Sequence, residues 1–199
     1  SDDQLMKYNP IKKKLMFPDK NARVNILFND VAFENVKWPH SDIWTKFVRY
    51  HVSEKFFKDL LRLFGPEIKT ICPQLEPKLG TTLEQAPVKC YKKNMIYDYK
   101  NSKSIFLDGD IGINTTSNIT SSVRKYHVDG MQKIFGGLFY FKRTDDDATG
   151  GDLEFYRLKY NQSLTVNKSV ELKKNQLEFV SKVKYQANTA VFWLYFSNA

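Results

Sequence analysis

His127 and Asp129, two apart in the run Tyr126-His127-Val128-Asp129-Gly130, are the residues of this chain whose types and spacing suit metal chemistry. On an extended strand, residues two apart share a face, so this spacing sets an imidazole beside a carboxylate. A pair of that kind is two-thirds of a 2-His-1-carboxylate facial triad, which holds Fe(II) on one side and leaves the other positions open. Each residue also has a plain structural use: His127 as a satisfied histidine at a strand end, Asp129 as an Asx-turn residue ahead of Gly130.

The segments downstream of the pair give it weight. Gly136-Gly137-Leu138-Phe139-Tyr140-Phe141 reads as a strand, and a polar loop through Asp145-Asp146-Asp147 leads to Thr149-Gly150-Gly151-Asp152-Leu153-Glu154-Phe155-Tyr156, a second one. In order, spacing and residue type these segments resemble the core of the Fe(II)/2-oxoglutarate-dependent dioxygenases, in particular the prolyl-hydroxylase-like branch. There an H-x-D strand is followed by a strand bearing a tyrosine and then by a Gly-Gly-x-Leu strand.

The resemblance implies that His127 and Asp129 ligate iron, and that Tyr140 hydrogen-bonds the far carboxylate of 2-oxoglutarate. It also implies Fe(II) and 2-oxoglutarate as cofactors, dioxygen as cosubstrate, ascorbate as an accessory reductant and a hydroxylase reaction that releases succinate and carbon dioxide. The family's third ligand is a histidine just after an apolar strand, with an arginine several positions later. The run Asn188 to Ala199 looks like that strand, yet the histidines of the sequence are His40, His51 and His127. The expectation is therefore that the third ligand and the basic residue lie past Ala199, since His40 and His51 stand far upstream of the pattern.

Composition sets the wider bounds. At 199 residues the length prior favours one domain with a substantial core. Hydrophobic residues at 42% and aromatics at 15% argue against disorder. No apolar run reaches the 18 or so residues that span a bilayer, and no signal-peptide core precedes the polar start, so a cytoplasmic protein is expected. Cys72 and Cys90 lack metal-ligand spacing and read as reduced thiols. Asn-x-Ser/Thr triplets at Asn114, Asn118, Asn161 and Asn167 read as chance occurrences in an Asn-rich sequence. The net charge of +9 could favour an anionic partner, but the lysines are scattered and Lys12-Lys13-Lys14 sits in a polar lead-in marked by Pro10 and Pro18.

The elements that must position the pair can be read from periodicity. Ser41 or Asp42 can cap a helix with Ile43, Trp44, Phe47 and Val48 on one face. Ser53 can cap a second, whose stripe is Phe56, Phe57, Leu60, Leu61 and Phe64 and which Gly65-Pro66 is expected to stop. From about 67 to 87 an irregular connection containing one helical turn is expected. Strand-like runs then succeed one another: Val88 to Tyr99, Ser104 to Asn114, Tyr126 to Val128, Ile134 to Lys142, Asp152 to Leu158, Ser169 to Leu172, Leu177 to Val183 and Thr189 to Phe196. Gly109 and Gly112 mark a bulge or a close backbone approach, and Thr115 to Ser122 a loop at the barrel mouth, ahead of Arg124. Gly150-Gly151 suits a tight turn with positive φ. The aspartates at 145 to 147 lack the spacing of a calcium loop and read as a hairpin tip.

The fold expected is mainly β with N-terminal helices: a double-stranded β-helix, or jelly roll, buttressed by the helices. One domain over 1–199 would comprise lead-in, helices and first strands to 103 and the jelly-roll core from 104. Two other readings stand beside the dioxygenase. One is a cupin-like or degenerate jelly-roll module that binds carbohydrate or peptide without iron; the other is a basic protein that docks on nucleic acid.

Overall fold

The computed structural model describes residues 23–28, 42–91, 101–114, 125–129, 133–159 and 170–195. The expectations for Pro10, Lys12-Lys13-Lys14, Pro18, Ser41, residues 92–99 and the loop from 115 to 122 lie outside these. The chain falls into two compact units, Ser1–Ser121 and Ser122–Ala199. Short strands dominate, with three α-helices and one short 3-10 helix among the described residues. None of those helices is long and apolar enough to cross a membrane.

In the first unit, strand β1 (Arg23–Leu27) precedes helix α1 (Asp42–His51), helix α2 (Glu54–Ile71), the short helix α3 (Leu75–Leu79) and strands β2 (Val88–Cys90), β3 (Ile105–Leu107) and β4 (Asp110–Asn114). The Ser53 hydroxyl caps α2 by accepting the Phe56 N–H, with Glu54 at the positive end and Lys69 in the last turn. Phe56, Phe57, Leu60 and Leu61 are buried as their spacing predicts, and Phe64 is half-buried. On α1, Val48 is buried but Ile43 is 73% exposed, so the apolar face is narrower than expected.

Gly65-Pro66 does not stop α2. The apolar stripe continues past it through Gly65, Ile68 and Cys72, all buried, while Pro66 lies on the exposed side. An internal proline costs about 3 kcal/mol or more, and burying a further turn of the stripe offsets it. Where an irregular connection was expected, the chain therefore continues as helix to Ile71; α3, where one helical turn was expected, follows and ends at Gly80 with φ +70.

β1 pairs antiparallel with β4, and β2 parallel with β3. The run from Ser104 to Asn114, expected in the jelly-roll core, thus breaks into two strands that find partners upstream. Gly109 makes the break: its carbonyl accepts the Phe28 N–H at 2.9 Å, and a Cβ there would come within 2.8 Å of the Phe28 ring. A close backbone approach is what the glycine provides. Cys72 and Cys90 are free thiols.

In the second unit the strands are β5 (His127–Val128), β6 (Phe135–Tyr140), β7 (Leu153–Leu158), β8 (Val170–Glu171), β9 (Leu177–Val183) and β10 (Thr189–Leu194). They lie within a residue or two of the runs expected from alternation and turn residues. All pairings are antiparallel: β5 with β8, β6 with β10 and β7 with β9. The β7–β9 pair is thus nested in sequence inside the β6–β10 pair. The β6–β10 register sets Gly136 opposite Trp193 and Gly137 opposite Phe192. A Cβ on Gly136 would come within 2.6 Å of the indole, and one on Gly137 within 2.8 Å of the Phe192 ring, so glycine lets β10's aromatics lie across β6.

Candidate metal centre

His127 is placed by β5, where it stands opposite Glu171 and where the Tyr126 carbonyl accepts the Leu172 N–H at 2.7 Å. Its Nδ1 lies 2.7 Å from the Lys125 carbonyl. A carbonyl can only accept, so Nδ1 carries the proton and, in the neutral ring, Nε2 carries the lone pair. That Nε2 lies 3.7 Å from Oδ1 of Asp129, as the two-residue spacing predicts. The structure therefore brings the two expected ligands together.

The other carboxylate oxygen, Oδ2, accepts the Tyr195 hydroxyl at 2.7 Å and the Lys133 ammonium at 3.0 Å. Tyr195 is itself pinned: its N–H donates to the Ile134 carbonyl at 3.0 Å, and its ring meets Trp193 edge-on. Burial alone would push the Asp129 carboxyl up. The bonds from Tyr195 and Lys133, with the positive charge of Lys133, outweigh it and hold the group below the usual carboxylate range. Asp129 is thus ionised at neutral pH, the state in which a carboxylate binds a cation.

Metal–nitrogen and metal–oxygen bonds of roughly 2.1 Å each span up to about 4.2 Å and set neighbouring ligands of an octahedral ion about 3.0 Å apart, so the pair at 3.7 Å is within reach of one ion and would have to close slightly around it. The N–H to backbone carbonyl on the far side of His127, and the donors on the far oxygen of Asp129, fix the direction of both groups, as contacts of this kind do for metal ligands. Among the described residues, no group of three or more His, Cys, Asp or Glu side chains converges on one point. Arg124, Gly130 and His40 lie outside the described residues. His51 belongs to the first unit, where its ring stacks against Phe47 and Phe56 and its Nδ1 bonds the Phe47 carbonyl.

Tyr140 is buried near the end of β6, opposite Thr189. Five residues, or roughly 17 Å of strand, separate it from Phe135, the end of the ladder next to Ile134 and Tyr195. Its hydroxyl donates to the Gly151 carbonyl at 3.0 Å, tying β6 to the turn in which Gly150 and Gly151 both have positive φ. Burial and the charge of Asp152 push its phenol up, against a backbone bond at Leu153. Residues 145 to 147 are not the hairpin tip expected, because the strands they join, β6 and β7, pair with β10 and β9 and not with each other; in this loop Asp145 pairs with Arg143, while Asp146 accepts from the Ala148 N–H and the Tyr185 hydroxyl.

A shallow cleft of about 660 Å³ lies elsewhere in this unit, lined by Tyr156, Lys159, Lys174, Asn175, Leu177 and Phe179, and neither His127 nor Asp129 borders it. Sequence reasoning missed Lys133 and Tyr195. Lys133 follows Asp129 by four residues with no fixed periodicity between them, and Tyr195 reads only as one more aromatic in an apolar strand.

No protein-family model matches the chain, and comparison with curated proteins and with solved structures returns no match.

Proposed function

We propose that this chain is an Fe(II)/2-oxoglutarate-dependent dioxygenase, a hydroxylase acting on a C–H bond, with His127 and Asp129 as two of its three metal ligands. One observation carries the reading: the lone-pair nitrogen of His127 and an oxygen of the ionised Asp129 are 3.7 Å apart, each braced from behind by a donor or acceptor that fixes its direction. Nesting of β7–β9 within β6–β10 supports the jelly-roll architecture, in which such a pair sits at the open end. Among the described residues no third ligand stands beside the pair.

Bound iron and 2-oxoglutarate would supply the oxidising chemistry, with release of succinate and carbon dioxide. The chain's own part is to hold two donors in one direction and to keep Asp129 ionised. The resemblance assigns Tyr140 to the far carboxylate of 2-oxoglutarate, whereas the geometry has its hydroxyl on the Gly151 carbonyl at the end of β6 away from Tyr195. Tyr140→Phe separates the two uses: a raised KM for 2-oxoglutarate supports the assignment, whereas a lowered Tm with unchanged KM leaves Tyr140 as a brace for the turn.

A second reading has its own observation. Lys133 already supplies Asp129 with a cation, as it would in a jelly-roll module that binds carbohydrate or peptide and needs no metal. Anaerobic Fe(II) titration of the full-length protein with 2-oxoglutarate decides between them. The dioxygenase predicts a weak visible charge-transfer band that is lost in His127→Ala and in Asp129→Ala. Absence of the band in the unaltered protein, with no gain in thermal stability from metal plus 2-oxoglutarate, would favour the binding module.

A further inference from the structure

We infer that Tyr195 is a positioning residue for the Asp129 carboxylate, and that Lys133 is a placeholder cation which a divalent metal displaces; this rests on the metal-centre reading above. Both donors meet Oδ2 of Asp129, at 2.7 Å and 3.0 Å, while Oδ1 faces His127. Their surroundings differ. Tyr195 is held by the Ile134 carbonyl and by Trp193, so its hydroxyl has a fixed direction and brings no charge. Lys133 ends in a full positive charge on a flexible stem, its side chain 45% exposed where that of Asp129 is 15% exposed.

A neutral, fixed donor can orient a carboxylate for a metal without opposing the metal's charge. An ammonium on the same carboxylate repels an arriving dication, and at half-exposure it moves into water at little cost. Lys133 therefore compensates the Asp129 charge until a metal takes its place, whereas Tyr195 stays throughout. The two donors, alike in distance, act on metal affinity with opposite sign.

Mn(II) serves as an air-stable probe, its affinity measured calorimetrically for the full-length protein, Tyr195→Phe and Lys133→Met, alongside Tm without metal. Tyr195→Phe keeps the ring against Trp193 but loses a bond to a charged group, so Tm should fall modestly while affinity falls roughly 10–100-fold, the usual cost of losing an outer-shell partner. Lys133→Met should bind Mn(II) more tightly than the unaltered protein. The inference is overturned if Tyr195→Phe binds within two-fold of the unaltered protein, or if Lys133→Met weakens binding. Failure of the unaltered protein to bind Mn(II) at all is a different result and removes the metal-centre reading itself.

Discussion

In the first unit, α2 alone buries Phe56, Phe57, Leu60, Leu61 and Ile68, and β1, β3 and the segment after α3 add Ile26, Ile105, Leu107 and Leu83. In the second, the buried hydrophobics among the described residues are Tyr140 and Leu177. What the second unit has in their place is ladder hydrogen bonding, edge-to-face rings such as Phe155 on Trp193 and Tyr126 on Tyr156, and cross-strand ion pairs such as Arg157 with Glu178. The candidate metal centre lies in this less buried unit. A site that must open to substrate is drawn from the part of a protein with few buried apolar contacts, and the densely packed part contributes stability instead.

That contrast predicts where substitutions hurt. Phe57, 1% exposed, should cost about 3–5 kcal/mol on truncation to alanine, read as a lower midpoint in urea. If the units are held as differently as their cores suggest, no single truncation of a half-buried aromatic in the second unit should match it. A comparable loss from Phe155→Ala would break the contrast.

A smaller effect is expected from His51. Burial among Phe47, Tyr50 and Phe56 pushes its imidazole below the ordinary value, against the bond to the Phe47 carbonyl. The unfolded chain then binds the proton more readily than the folded one, so the neutral ring's stabilisation is present above the ordinary histidine value and is lost as pH falls from there toward the lowered one. Urea midpoints between pH 7.5 and 5 should show this decline, and His51→Gln should flatten it. A decline of equal size in the variant would assign the pH dependence to other groups.

The smallest effect belongs to the second unit. Arg157 and Glu178 form a two-pronged pair across β7 and β9, yet both are well exposed, and exposed pairs are screened by salt and offset by side-chain entropy. Arg157→Gln should leave Tm nearly unchanged in 0.5 M salt. A shift comparable with that of Phe57→Ala would mean that the unit depends on its ion pairs far more than their exposure allows.

Much of this architecture was legible in the residues. Strands from β5 onward follow alternation bounded by turn residues, and Leu177–Val183 begins and ends where the pattern does. The Ser53 cap and the stripe of α2 were legible for the same reason: each is a local relation among residues a few positions apart. What escaped was long-range. Nothing local to Gly65-Pro66 shows that burial of Ile68 and Cys72 carries the helix past a proline, and nothing in the run from Ser104 to Asn114 shows that its strands pair upstream. At the site, His127 and Asp129 were legible because two residues on one strand share a face. Tyr195 was not, because its place beside Asp129 depends on β10 being docked on β6.

That docking has a consequence in time. During synthesis β6 emerges first, with β7, β8 and β9 still to be made before β10 can pair with it. Until then one edge of β6 lacks its partner, and Phe139 and Phe141, whose rings stack on one another, lack the Phe192 contact that Phe139 makes in the finished protein. Closure over so long a stretch is slow, and an open apolar edge can pair with another chain in the meantime. Tyr195 arrives only with β10, so the Asp129 carboxylate acquires its fixed direction among the final events of folding. The nascent chain thus passes through a stage in which His127 and Asp129 are both made but the Tyr195 contact is not.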